Sequence, residues 1–262
     1  FLGDATYPPL LAMLDDAPPC LFVAGDVGLL RARSVAMVGG RNASANGQRM
    51  AETLAAGLAR EVVVVSGLAR GIDAAAHKGA LSTGKTVAAI AGGLDVVYPP
   101  GHEELQRRIA AAGAVVTEAS LGIEPLARHF PRRNRIIAGL CLGVVVVEAA
   151  PRSGSLITAR CALEQGREVL AVPGSIRSPQ SAGCHALLRD GARLATSPAD
   201  VLEECGLPLP QKSFDFQNLV SPRNPADSVP RLDKPREILL DAVGFEPASI
   251  DELVDRTGLS AG

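Results

Sequence analysis

Short apolar, β-branched runs alternate along the chain with loops of small residues and with helix-like stretches. The first run, Ser34-Val35-Ala36-Met37-Val38, empties into Gly39-Gly40-Arg41. The same step recurs where residues 62–65 meet Ser66-Gly67-Leu68-Ala69-Arg70-Gly71, where 86–90 meet Gly92-Gly93, and where 114–116 meet Thr117-Glu118. It recurs again where 143–147 meet Glu148 and where 168–172 meet Pro173-Gly174. Strands that are apolar throughout are covered by helices on both faces, so the pattern predicts an α/β fold around a mainly parallel sheet. Ligands of such sheets sit beyond the carboxyl ends of the strands. That is where the small residues fall, and loops of this kind suit a phosphate-bearing ligand.

Outside this rhythm the character of the chain changes. Residues 1–33 hold Pro8-Pro9 and Pro18-Pro19 around a short helix-like stretch at 10–14, and read as an N-terminal segment packed on the main domain. The strand-loop-helix pattern occupies 34–205. Residues 206–234 form a polar stretch broken by prolines, which reads as a linker. Within 235–262 two short helices are predicted. One spans 236–243, and one starts at Ser249 with capping-box spacing to Glu252 ahead of Leu253 and Val254. Two helices alone bury little, so this end is a fragment or a docking element.

Composition narrows the class. With 262 residues, 47% of them hydrophobic, the chain has material for one substantial core and an appendage. No run of eighteen apolar residues occurs, so no membrane partner is expected. The five cysteines (Cys20, Cys141, Cys161, Cys184, Cys205) are odd in number, scattered and never in CxxC spacing. They predict reduced thiols in a cytoplasm and argue against a disulfide framework or a zinc site. His77, His102, His129 and His185 also lack ligand spacing, so neither metal nor cofactor is expected. A net charge of −2 excludes coating of nucleic acid by bulk positive charge, although it leaves a local patch open. Aromatic residues make up 3% with no Trp, and only Tyr98 and Phe130 fall near the loops.

Several motifs carry chemistry. Gly79-Ala80-Leu81-Ser82-Thr83-Gly84-Lys85-Thr86 satisfies the P-loop pattern, but a P-loop follows a strand and opens a helix. Here a helix-like segment precedes and a strand follows, which predicts a helix-to-strand turn. The dinucleotide fingerprint GxGxxG is absent after every strand. Gly39-Gly40-Arg41 instead offers close backbone approach and a forked cation to an anion; the plain alternative is a tight turn with an exposed Arg. Ser66-Gly67 with Arg70 repeats that logic. Asp73 and His77 share a helix face, as an oriented base or as a cap and a core histidine. Ser153-Gly154-Ser155 sets two hydroxyls at a helix start, a further anion site. Glu148 at a strand end is a catalytic acid or a holder of the loop, and no nucleophile partner supports the first role.

The strongest local signal is Phe130-Pro131-Arg132-Arg133-Asn134-Arg135, with Arg128 just before it. Pro131 is expected to open a helix with Arg132, Arg133 and Arg135 in its first turn. Cations at a helix N-terminus oppose the macrodipole, so a bound anion would explain them where local stability does not. A solvated basic face is the alternative.

Taken in order, these segments, together with Gly92-Gly93-Leu94-Asp95, Tyr98-Pro99, Glu164-Gln165-Gly166-Arg167 and Ala171-Val172-Pro173-Gly174, resemble the bacterial DNA-processing protein A family (DprA, or Smf) over about 34–200. Two departures stand out. The family's usual Gly-Ser-Arg is Gly39-Gly40-Arg41 here, and its Ser-x-Gly-x-Asn is Ser181-Ala182-Gly183-Cys184-His185. On this resemblance the small helical domain that often precedes the family's Rossmann part is expected to be mostly absent from residues 1–33.

The resemblance implies an extended Rossmann-like domain that binds single-stranded DNA, forms a homodimer and helps load RecA recombinase in natural transformation. It also implies that 235–262 begin a winged-helix domain, cut short before its third helix. On this reading the backbone N–H groups at Gly39-Gly40, Ser66-Gly67 and Ser153-Gly154 line a groove. Arg41, Arg70, Arg128, Arg132 and Arg133 neutralise phosphates, with Asn134, Arg135 and Ser155 in the same site, and Phe130 stacks a base. Recognition is then independent of sequence. Two competing readings are a phosphoribohydrolase-type enzyme using Glu148 and a module that only bridges RecA.

Overall fold

In the computed structural model, each of the six predicted strands forms. They are β2 (Ser34–Val38), β3 (Val63–Ser66), β4 (Thr86–Ala89), β5 (Ala114–Thr117), β6 (Gly143–Val146) and β7 (Glu168–Ala171). Two short edge strands, β1 (Phe22–Gly25) and β8 (Arg193–Leu194), complete an eight-stranded sheet in the order β1-β5-β4-β3-β2-β6-β7-β8. All neighbours run parallel except β1, which pairs antiparallel with β5. From β2 the chain winds one way through β3, β4 and β5, and then returns to β6 on the other side of β2. The strand order therefore reverses between β2 and β6, and an α/β sheet opens its ligand crevice at such a point.

The structure describes residues 1–209, with Val254 and Thr257, both helical. The predicted helix at 236–243, the remainder of the one beginning at Ser249 and most of the 206–234 linker lie outside the described residues. The chain divides into two compact units, Phe1–Pro210 and Gln211–Gly262.

Alternation along the strands sends Val35, Met37, Val64 and Val145 to one face and Ala36, Val38, Val65 and Val144 to the other, and both sets are buried. The first face packs against α2 (Ala45–Leu58), α3 (Ile72–Thr83) and α8 (Pro198–Glu204). The second packs against α1 (Pro9–Ala12), α5 (His129–Gly139), α6 (Ser155–Glu164) and α7 (Ala182–Arg189). At the β4–β5 side, Leu105 and Ile109 of α4 (Glu103–Ala112) cover Ala88, Ile90 and Val115.

Helix α2 buries Ala51, Leu54, Ala55 and Leu58, a helical spacing that faces the small residues of α3. The two helices meet so closely that a Cβ on Gly79 would strike the Glu52 backbone, and one on Gly84 the Ala59 carbonyl. Gly84 is the C-cap of α3 and Thr86 opens β4, so the P-loop look-alike is the helix-to-strand turn its context predicts. Among the described residues no helix is long and apolar enough to cross a membrane.

Candidate functional site

A cleft of about 810 Å³ opens where the strand order reverses, walled by the loops after β2 and β6 and by the first turns of α5 and α6. Tight backbone contacts hold these walls together. The Gly40 N–H donates to the Glu148 carbonyl at 2.6 Å, and the Ile72 N–H donates to the Gly40 carbonyl at 3.3 Å. Gly71, at φ 78°, lets that carbonyl pass where a side chain would collide with it. The Gly40 N–H is thus used inside the protein, and the expected row of free amides at Gly39-Gly40 is corrected at this position.

Glu148 is a structural carboxylate. It accepts from the Ser44 N–H at 2.9 Å and the Ser44 hydroxyl at 2.6 Å, while that hydroxyl accepts from the Gly47 N–H at 2.9 Å and so caps α2. Gly47 lacks a side chain where the carboxylate lies. The loop-holding role is the one the geometry gives.

The second loop differs more from expectation. Ser66 is fully buried, donates its hydroxyl to the Met37 carbonyl at 2.6 Å and lies outside the cleft wall. Gly67 leaves room for the Arg133 guanidinium. Arg70 is exposed but stands off the cleft. At the third loop Ser153, Gly154 and Ser155 all line the cleft, with the two hydroxyls 2.7 Å apart and α6 starting at Ser155 as expected.

The arginine helix explains its own cations. Helix α5 begins at His129, ahead of the expected Pro131 start, and carries the cluster in its first two turns. Arg132 and Arg135 reach the two oxygens of Glu118, at 2.9 and 2.6 Å, and Arg135 also pairs with Asp16 at 3.1 Å. The anion between those arginines is the protein's own Glu118 carboxylate. Arg133 is 5% exposed and donates through Nη1 to the Gly67 and Ala89 carbonyls, both at 2.5 Å. Its Nε donates to Asn134 Oδ1 at 3.2 Å, and Asn134 Nδ2 donates to the Gly154 carbonyl at 3.3 Å. Arg133 therefore ties together the ends of β3 and β4 and, through Asn134, the start of α6. Burial pulls its guanidinium down to about 10, opposed by Asp73 and aided by Arg41. It remains a cation at neutral pH.

Asp73 and His77 do not form an acid–base pair. Asp73 accepts from the Ala69 N–H at 3.3 Å, and burial pushes its carboxyl above the usual range against the pull of Arg133. His77 is sealed in the core with Nδ1 2.8 Å from Thr86 Oγ1. The Thr86 hydroxyl donates to the Val64 carbonyl at 2.7 Å, so Nδ1 carries the proton and Nε2 is left without a partner. Burial, with His102 and Arg133 nearby, lowers the imidazole to about 3. It is neutral at physiological pH.

Arg41, Arg70, Arg128 and Arg152 are exposed and make no ion pair among the described residues. Of these, Arg41 and Arg152 line the cleft. Arg41 lies over the Phe130 ring, 4.9 Å from its centroid, and Tyr98 packs on the same ring at 5.4 Å and 57°. Sequence reasoning missed Arg152. Its place directly before Ser153-Gly154-Ser155 was the available signal. No group of three His, Cys, Asp or Glu side chains among the described residues is placed to hold a metal ion.

The comparisons with known proteins agree with this architecture. The model of the family DNA recombination-mediator protein A matches residues 1–206, and that of the DprA winged helix domain matches 223–262. The DNA processing protein DprA of Streptococcus pneumoniae is 52% identical over 202 residues, covering 77% of this chain and 72% of that protein. Protein Smf of Escherichia coli is 44% identical over 267 residues, 96% of this chain and 67% of that one. Among solved structures, DNA processing protein A of Streptococcus pneumoniae aligns with a TM-score of 0.75 at 51% identity, over 78% of this chain and 72% of that chain. The Helicobacter pylori protein, reported for its single-stranded DNA binding mode, aligns with a TM-score of 0.69 at 30% identity, over 75% of this chain and 91% of that one. A Rossmann-like sheet, a family model spanning most of the chain and a second model over its C-terminal end lead to one assignment: the chain belongs to the DNA recombination-mediator protein A family.

Proposed function

We propose that the cleft binds single-stranded DNA without regard to sequence, and that the protein acts as a cytoplasmic homodimer that hands the strand to RecA recombinase during natural transformation. The observation that supports the DNA-binding part is the pairing of cations that make no ion pair among the described residues with an aromatic ring at the cleft: Arg41 and Arg152 line it with Phe130. Cations of this kind take successive phosphates, and the ring takes the face of a base. Gly39, Ser153, Gly154 and Ser155 supply the neutral wall, while Arg70 and Arg128 extend the basic surface outside the cleft. Arg132, Arg133, Asn134 and Arg135, read from sequence as direct ligands, support the site from behind through their internal partners. The Helicobacter pylori relative, reported to bind single-stranded DNA, supports the choice of ligand.

No catalytic role is assigned. Glu148 is spoken for by Ser44, which disfavours a phosphoribohydrolase chemistry centred on it. The test is fluorescence anisotropy with labelled oligo-dT. Binding is expected to weaken strongly in Arg41→Ala/Arg152→Ala, and undiminished binding overturns the assignment. The RecA step is tested by the rate of RecA assembly on single-stranded DNA with and without the protein, and the dimer by its mass in solution.

A further inference from the structure

A second cavity, of about 160 Å³, lies at the carboxyl ends of β4 and β5, three strand spacings or about 14 Å along the sheet from the cleft. Of the residues lining it, only Arg133 also lines the cleft. Thr117 ends β5 and Glu118 follows it, Ile90 and Ala91 follow β4, and His129, Arg132 and Arg133 come from the first two turns of α5.

The polar side chains around this cavity are donors with hydrogens to spare. Arg133, 5% exposed, spends three on Asn134, Gly67 and Ala89, which leaves the two on Nη2. Arg132 turns two towards Glu118 and keeps three. The Leu126 N–H donates to His129 Nδ1 at 3.2 Å, so the neutral ring carries its hydrogen on Nε2. The Thr117 hydroxyl accepts from the Ala119 N–H at 3.0 Å, and its own hydrogen finds no acceptor among the described residues. The exception is Glu118, whose two oxygens are taken by Arg132 and Arg135. Three guanidinium groups thus meet one carboxylate here. Asp16 reaches Arg135 from the exposed side, and Asp73 belongs to the cleft.

The complement of such a surface is an oxyanion, which has several acceptor oxygens. At about 30 Å³ for each water-sized group, the cavity holds about five heavy atoms, the size of a phosphate. Ile90, Ala91 and Ala119 add apolar wall, which strengthens hydrogen bonds made inside.

We propose that this cavity binds a phosphomonoester, supplied by the phosphorylated end of a DNA strand or by free phosphate. A monoester presents three unsubstituted oxygens to the donors, whereas a diester inside a strand continues on both sides and does not fit a cavity of this size. The cavity stands without the strand binding proposed above, and only the strand-end source rests on that reading.

The test uses the full chain with inorganic phosphate as the probe, at constant ionic strength. Millimolar phosphate is expected to raise the melting temperature by a few degrees, because it binds the folded state. The rise should vanish in Ala119→Leu, which fills the cavity, and shrink in His129→Ala, which removes a donor. If one variant does not fold, the other decides. No rise, or a rise that persists undiminished in the variants as a general effect of phosphate on burial, overturns the site. Anisotropy then separates the sources, with oligo-dT carrying a 5′-phosphate, a 3′-phosphate or neither. A phosphate at one of the two ends is expected to tighten binding about tenfold, the worth of one hydrogen bond to a charged group. Equal binding of the three strands, with the thermal shift intact, assigns the cavity to free phosphate. If no strand binds while the shift stands, the function proposed above fails and the cavity remains.

Discussion

The Arg41 guanidinium rests on the face of Phe130, 4.9 Å from the ring centroid, at the cleft. The arrangement couples two contacts that a nucleotide needs, a cation for its phosphate and a ring for its base. Stacking on an aromatic side chain contributes about 1–3 kcal/mol per base. Phe130→Leu, which keeps an apolar side chain without the ring, is therefore expected to weaken oligo-dT binding about tenfold or more, measured by anisotropy. Its melting temperature should change little, because Phe130 is only half-buried.

Glu148 holds the loop after β2 against the start of α2. Glu148→Ala leaves the Ser44 N–H and hydroxyl without their acceptor. Removing an acceptor from partly buried donors costs on the order of 1–3 kcal/mol. A lower melting temperature is expected, and incubation of the unaltered protein with nucleoside monophosphates should release no free base. Base release that disappears in the variant would restore the enzymatic reading.

Gly67 is required by Arg133 rather than by its own backbone. A Cβ there would strike the guanidinium, which must then leave the Gly67 and Ala89 carbonyls. Gly67→Ala is expected to destabilise the protein by about 1–3 kcal/mol in urea, the cost of stranded buried polar groups, and to weaken DNA binding with it.

His77 gives the protein an acid-sensitive core. Its folded value of about 3 lies below the ordinary 6.5, so the folded state holds the neutral ring. The associated stability is fully present above pH 6.5 and is lost progressively as pH falls towards 3, where the folded ring also protonates. At pH 5 the loss is about 2 kcal/mol. Asp73, whose value is raised, acts in the opposite sense and favours the folded state as its carboxyl protonates. The contribution of His77 is isolated by comparing the unaltered protein with His77→Leu: the fall in melting temperature between pH 7 and pH 5 should be smaller in the variant.

The sequence made the central strands legible because each is an uninterrupted β-branched run, as in Val63-Val64-Val65 and Val144-Val145-Val146. The edge strands were not legible. In β1, Phe22-Val23-Ala24-Gly25 is a four-residue stretch without a clear period, and β8 has only two residues. The basic cluster was visible as composition, but the direction of each guanidinium depends on partners far along the chain. Glu118 lies 17 residues from Arg135, Asp16 comes from the N-terminal segment, and the carbonyls of Gly67 and Ala89 come from the loop after β3 and the end of β4. Helical spacing cannot reveal such partners. Arg152 was overlooked because it stands alone, although exposed cations beside a helix start are those left free to meet a ligand.

The most direct measurement is the dependence of oligo-dT affinity on salt. Each phosphate neutralised on a single strand adds roughly 0.7 to the slope of log affinity against log salt. Arg41→Ala/Arg152→Ala is expected to flatten the slope by about that amount for each phosphate that no longer meets a guanidinium. Arg135→Ala, whose guanidinium already serves Glu118 and Asp16, should leave it unchanged. An unaltered slope in the double variant, or an equal flattening in Arg135→Ala, would contradict the account.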